Sequence, residues 1–136
     1  MTRGMLQNSL LAFSIFGVSL YATEAHSCSC VQRTLDEHFQ SNPLVFVATV
    51  IRVKKTGAHR EYVFRVHKVW KGKVNSQIVL RNEASPGSCA MTFHVGQQSI
   101  VFGHGGGSDF QTSLCSGTDP PLAETIRWLE KHAKSR

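Results

Sequence analysis

The 136-residue chain carries four cysteines, Cys28, Cys30, Cys89 and Cys115, and the chemistry open to them depends on the compartment. In a reducing cytosol such residues suggest zinc; in an oxidising one an even count suggests disulfides. Cys28-Ser29-Cys30 followed by two widely separated single cysteines fits poorly the Cys-x-x-Cys pairs of structural zinc sites. Two disulfides are expected, for which four cysteines allow three pairings. A bridge from Cys28 to Cys30 would close a very small ring in poor geometry, so each is expected to reach a distant partner. In extended backbone, residues two apart point to one face, so both bridges would hold this segment from the same side.

The remaining reactive side chains give weaker signals. Seven histidines are scattered along the chain, and His67 and His94 fall in strand-like stretches where a surface or packed imidazole is the ordinary role. His104-Gly105-Gly106-Gly107 looks like the oxyanion string of certain esterases, but no Gly-x-Ser-x-Gly elbow accompanies it, and it reads as a hairpin turn. Asp36 and Glu37 carry no pattern for paired-carboxylate catalysis beyond a helix cap. No enzymatic activity is expected, and no cofactor.

The compartment is read from the N-terminus. Arg3 precedes an apolar run over residues 9–22, SLLAFSIFGVSLYA, which is of signal-peptide length. Small residues then offer cleavage after Ala25 or after Ser27. Residues 1–27 are read as a secretory signal peptide and residues 28–136 as one domain, with a single uncleaved anchor as the lesser alternative. The domain is placed outside the cell, or in the periplasm if the source is bacterial, with no stable membrane anchor. The net charge of +6 would attract an anionic partner, but the lysines and arginines are dispersed without a dense block, as on a solvated basic surface.

Several elements must position the cysteines. Thr34 and Glu37 make a capping box, and Leu35 with Phe39 an i, i+4 apolar pair, so a short helix is expected up to Pro43. Residues 44–53, LVFVATVIRV, have strand composition. After a turn at Gly57, residues 61–70 form a second strand, with Tyr62, Phe64, Val66 and Trp70 on one side and Val63, Arg65, His67 and Val69 on the other. Ile78 and Leu80, then Met91, Phe93 and Val95, continue the alternation, and SIVFGH and FQTSLC complete the short strands of a small barrel or sandwich. Asp119 is expected to cap a C-terminal helix entered through Pro120 and Pro121, with Leu122, Ile126 and Leu129 on its apolar stripe. Tyr62, Phe64 and Trp70 would suit a base-stacking platform on such a barrel, but they are read as core aromatics, and no nucleic-acid partner is expected.

Taken in order, Cys28-Ser29-Cys30, Phe39 leading into LVFVATV, YVFRVHKVWKG, the lone Cys89, FHVGQQSIVFG and Leu114-Cys115 resemble the N-terminal domain of the tissue inhibitors of metalloproteinases, across nearly all of residues 28–136. The resemblance implies a netrin-like module: a mainly β, five-stranded OB-type barrel with a short N-terminal helix and a C-terminal helix. It implies pairing of Cys28 with Cys89 and Cys30 with Cys115. It further implies a secreted inhibitor, expected to be monomeric, whose protein partner is a zinc metalloproteinase. The N-terminal amine and carbonyl of Cys28 would chelate the target's zinc. Ser29, Cys30 and Val31 would make contacts beside it, and Ser85, Pro86, Gly87 and Ser88 would form the rest of the inhibitory ridge. The family's third disulfide is missing, with Gln40 near one of its ends, and Val31-Gln32-Arg33 stands where the family carries a proline-containing stretch. A second reading is therefore a noncatalytic secreted binding module that has kept the scaffold without protease inhibition.

Overall fold

The computed structural model describes residues 28–83 and 88–135; the expected signal peptide, residues 1–27, lies outside the described residues. Helix α1 spans Leu35–Ser41, and its start follows the sequence rule closely. The Thr34 hydroxyl accepts from the Glu37 backbone N–H at 3.3 Å, and the Glu37 carboxylate accepts from the Thr34 N–H at 2.7 Å. At its other end the chain leaves the helix through Asn42, whose backbone N–H still reaches the His38 carbonyl. Pro43 follows, and its neighbours are held extended.

Two long strands come next, β1 over Leu44–Thr56 and β2 over His59–Lys71, joined at Gly57, whose φ of +61° suits a residue without a Cβ. Strand β3 covers Gln77–Glu83 and β4 Gln98–Gly103, and the four form one antiparallel sheet in the order β3-β2-β1-β4. The domain is thus β-rich, with a second α-helix, α2, over Ala123–His132. Alternation sorts the apolar residues onto two faces. Phe46, Ala48, Val50, Tyr62, Phe64, Ile78, Leu80 and Val101 build one buried cluster, together with Phe93 and Phe110. Val45, Ile100 and Phe102 face the opposite way, where Phe39 of α1 and Leu129 of α2 cover them.

The two faces of β2 are not those that strict alternation gives. Val69 packs with the Tyr62 and Phe64 cluster, and Trp70 packs on the helix-covered face. The cause is the register: Ala48 opposes Val66 and Val47 opposes Lys68, which leaves His67 as an extra residue. An extra residue in one strand shifts every later side chain to the other face. A second shift passes over Trp70. Its indole N–H reaches the Glu130 carboxylate of α2 at 3.2 Å, a partner available only on that face.

Two expected strands are absent from the described sheet. Residues 88–94 carry Phe93 into the core and Met91 against it, but they form no ladder, and Val95 is 65% exposed at a turn. The turn is closed by Gly96, which at φ +86° donates its N–H to the Val50 carbonyl at 2.8 Å. In FQTSLC only Gln111 pairs, with His104, so the glycine string between them is the expected turn. Asp119 does not cap α2. Its backbone N–H and carbonyl are bonded to Ile100 at 3.1 and 2.8 Å, and the helix begins after Leu122 without a side-chain cap. A cap must immediately precede the first turn, and Pro120, Pro121 and Leu122 separate Asp119 from it. Leu122 is largely exposed, so the docking stripe consists of Ile126 and Leu129.

Tyr62 and Phe64 are fully buried, and each meets Phe93 edge to face, at 5.3 and 5.1 Å between ring centres. Changing Phe64 to alanine is expected to lower unfolding free energy by roughly 3–5 kcal/mol, measured by urea titration. A loss under about 1 kcal/mol would contradict its place in the core.

Candidate functional site

The site is assembled from three chain segments that share no ladder. Cys28 is bonded to Cys89, with Cα atoms 5.7 Å apart, and Cys30 to Cys115, at 5.2 Å. The long-range pairing is thus the one the resemblance implied, and no described cysteine is free. The sulfurs of Cys28, Cys89 and Cys115 all lie within 4.8 Å of one another. Because each is committed to a disulfide, they offer no thiolate to a metal. Between the two bridges Ser29 is exposed, and Val31 just beyond is 78% exposed. Segment 28–31 is therefore attached at two alternate residues, with the intervening Ser29 exposed.

Each anchoring cysteine is held by its own local device. Cys89 lies four residues before Phe93, whose ring is locked in the core. Between them the Asn82 side-chain amide donates to the Met91 carbonyl at 2.9 Å, and the Arg60 guanidinium donates to the Thr92 hydroxyl at 2.9 Å. Side chains of β2 and β3 thus stand in for the missing ladder. Cys115 sits in a turn knitted by hydroxyls. Thr112 donates to the Phe102 carbonyl at 2.8 Å, the Thr118 hydroxyl accepts from the Phe102 N–H at 3.0 Å, and Ser116 lies 2.9 Å from Thr112. The Asn42 amide ties this turn to α1 through the Ser116 carbonyl at 3.1 Å. The Leu114 N–H then donates to the Cys89 carbonyl at 3.0 Å, which joins the two anchors to each other.

Gly117 completes the turn. At φ +94° its backbone suits only glycine, and a Cβ there would come within 2.7 Å of the His38 ring. Larger residues are excluded on both counts.

Among the expected contact residues, Cys28, Ser29, Cys30 and Val31 lie together, and Ser88 is exposed next to Cys89. Ser85, Pro86 and Gly87 lie outside the described residues. Asn82, Arg60, Thr92 and the Thr112–Ser116–Thr118 cluster are supports that the sequence reading missed. Leu114, 53% exposed beside Cys115, is a further missed neighbour. The only signal for the hydroxyl cluster was the run of serines and threonines flanking Cys115 in TSLCSGT.

His67 and His94, set aside as metal ligands, are exposed, and His67 Nε2 lies 2.7 Å from the Thr49 hydroxyl. Among the described residues no helix is long and apolar enough to cross a membrane. Compared with models of known protein families and with curated proteins, the chain matches none.

Two carboxylates titrate low. The Thr34 backbone N–H, then its hydroxyl, hold Glu37 below the usual 4.5. The Lys68 ammonium, outweighing partial burial, does the same for Glu130, with help from the Trp70 N–H. A carboxyl whose folded value is depressed contributes stability that is complete above its unfolded value and vanishes as pH falls through the folded one. Thermal midpoints of the native protein and of Glu37→Gln should therefore differ most at neutral pH and converge as pH drops below about 4.5. A gap that widened on acidification would contradict the capping role.

Proposed function

We propose that the mature chain is a secreted inhibitor of zinc metalloproteinases, built on a netrin-like OB-type barrel of which the described sheet is the greater part. The barrel reading draws support from the bulged 13-residue strands β1 and β2, since bulges bend and coil a sheet towards closure. Further support comes from residues 88–94, which pack Phe93 and Met91 against the same cluster that a fifth strand would cover. Disulfides fit an oxidising compartment. The observation that carries the functional reading is the attachment of Cys28 and Cys30 to Cys89 and Cys115 with Ser29 exposed between them.

In the proposed mechanism, signal cleavage after Ser27 makes the Cys28 nitrogen a terminal amine two bonds from its own carbonyl carbon. Amine and carbonyl oxygen then bind the target's catalytic zinc in a five-membered ring and displace the water held in its open position. An α-amine, with a pKa of about 8, retains an appreciable neutral fraction at physiological pH, whereas a lysine amine at about 10.4 does not. The Ser29 hydroxyl enters the pocket beside the metal and hydrogen-bonds the target's catalytic carboxylate. Val31 and the segment through Ser85, Pro86, Gly87 and Ser88 extend the contact on either side. Because the wedge is held before the encounter, little further ordering is needed on binding.

Which bond the signal peptidase cuts decides the chemistry. After Ser27 the amine is free; after Ala25 it is an amide nitrogen, whose lone pair is delocalised and unavailable to zinc. The intact mass of the exported protein is expected to correspond to a chain starting at Cys28, and this form to inhibit a zinc endopeptidase. Adding one alanine ahead of Cys28 should preserve both disulfides and weaken inhibition by roughly a hundredfold or more, about 3 kcal/mol. A native chain starting at His26, or inhibition untouched by the added residue, would replace this mechanism with that of a noncatalytic binding module.

A further inference from the structure

We propose that the two disulfides form an exchange relay in which reduction of either one releases both ends of the N-terminal wedge. The geometry is the mutual proximity of three sulfurs from two different bridges, Cys28, Cys89 and Cys115, all within 4.8 Å. Cys89 and Cys115 are also brought together independently of any disulfide, by the Leu114 N–H donating to the Cys89 carbonyl at 3.0 Å. All three cysteines are partly exposed, so a reductant can reach them.

Consider an external dithiol acting on Cys28–Cys89. Its thiolate attacks one sulfur to give a mixed disulfide, and its second thiol resolves this. The dithiol leaves as a cyclic disulfide, and its two electrons and two protons reside on the Cys28 and Cys89 thiols. The Cys89 thiolate then attacks the sulfur of Cys115. A Cys89–Cys115 bond forms, the Cys30–Cys115 bond breaks, and the electron pair with a proton passes to Cys30. If the dithiol instead opens Cys30–Cys115 first, the freed Cys115 thiolate attacks Cys89 and expels Cys28. Both routes converge on one product: Cys89 bonded to Cys115, with Cys28 and Cys30 as thiols.

Loop closure favours that product over either native bridge, and the small ring of a Cys28–Cys30 bond has poor geometry. Cys89 and Cys115 are far closer in sequence than the native partners, whose separations are 61 and 85 residues, and shorter loops cost less entropy to close. Both cysteines are also held by the body of the domain, whereas Cys28 and Cys30 are held to it by the bridges being exchanged. A single two-electron reduction would then free the whole segment ahead of α1. The exchange rests on the bridges alone; its consequence, loss of a rigid inhibitory wedge, rests on the function proposed above.

The test uses the exported full-length protein treated with a single molar equivalent of dithiothreitol, quenched in acid, alkylated with N-ethylmaleimide and mapped without further reduction. The expected two-thiol species carries label on Cys28 and Cys30 and a Cys89–Cys115 link. Labels on Cys28 and Cys89 with Cys30–Cys115 intact, or any other two-thiol pattern, would overturn the relay. A Cys28→Ala variant needs no reductant: it should be isolated with Cys89 bonded to Cys115 and Cys30 free. Recovery with Cys30–Cys115 and a free Cys89 would contradict it. These readouts are covalent, so they stand whether or not the protein inhibits a protease.

Discussion

Two covalent links decide where the first described residues lie, and the candidate site exists only because of them. Segment 28–33 belongs to no strand or helix, and the described hydrogen bonds near it are Arg33 to Ser41 at 3.3 Å and the cap at Thr34. Exposed bonds of this kind contribute about 0.5–1.5 kcal/mol each at best. Fixing a residue's backbone costs roughly 1–2 kcal/mol, so such bonds cannot by themselves order six residues. A bridge closing a loop as long as these contributes about 4 kcal/mol on the chain-entropy model. The second bridge adds less, because the first has already shortened the chain it must close. Even so, the covalent terms exceed the described hydrogen bonds acting on the segment.

The bridges are only as rigid as what carries them, and here the sheet's irregularities matter. The extra residue at His67 rotates Val69 into the Tyr62–Phe64 cluster and sends Trp70 to the α2 face. There Lys68 and Trp70 both bond to Glu130, so β2 is tied to α2. α2 in turn presses Leu129 and Trp128 against Phe39 of α1. Lys71 bonds to the Phe39 carbonyl at the end of α1, a cationic partner at a helix C-terminus. A bulge in one strand is therefore what lets that strand hold both helices, and α1 is the element that follows segment 28–33.

Much of the fold was legible in the sequence because it is written in local rules. The capping box at Thr34 and Glu37, the strand composition of residues 44–53, the alternation of Ile78 and Leu80, and the turn at Gly57 each need only a few adjacent residues. What failed were inferences that assumed unbroken periodicity. A bulge leaves no local mark in VFRVHKVW, so Trp70 was assigned to the wrong face. Residues 88–94 alternate like a strand, yet they are held by Asn82 and Arg60 side chains rather than by a ladder. Asp119 has the right type for a cap but is used by Ile100 first. Of the site, the four cysteines announced themselves. Their supports did not, because Asn42, Thr112, Ser116 and Thr118 acquire meaning only when a turn folds back on β4.

The arrangement of those supports bears on the proposed role of segment 28–31. Cys89 is fixed through Phe93 to the aromatic core between β2 and β3, and Cys115 through Thr112 and Thr118 to the Phe102 backbone of β4. β2 and β4 lie on opposite sides of β1, so the two anchors report to different parts of the sheet. A segment tied at one point can still swivel about that bond. Tied at Cys28 and Cys30 to anchors of separate origin, it is held at two points on either side of Ser29. For three residues, backbone ordering would otherwise cost roughly 3–6 kcal/mol at the moment of the proposed docking, equivalent to two to four decades of affinity. Under the proposed inhibitory role, meeting that cost during folding would let a contact edge this small bind tightly. Losing the attachment would restore the freedom of the segment and with it most of the entropic penalty.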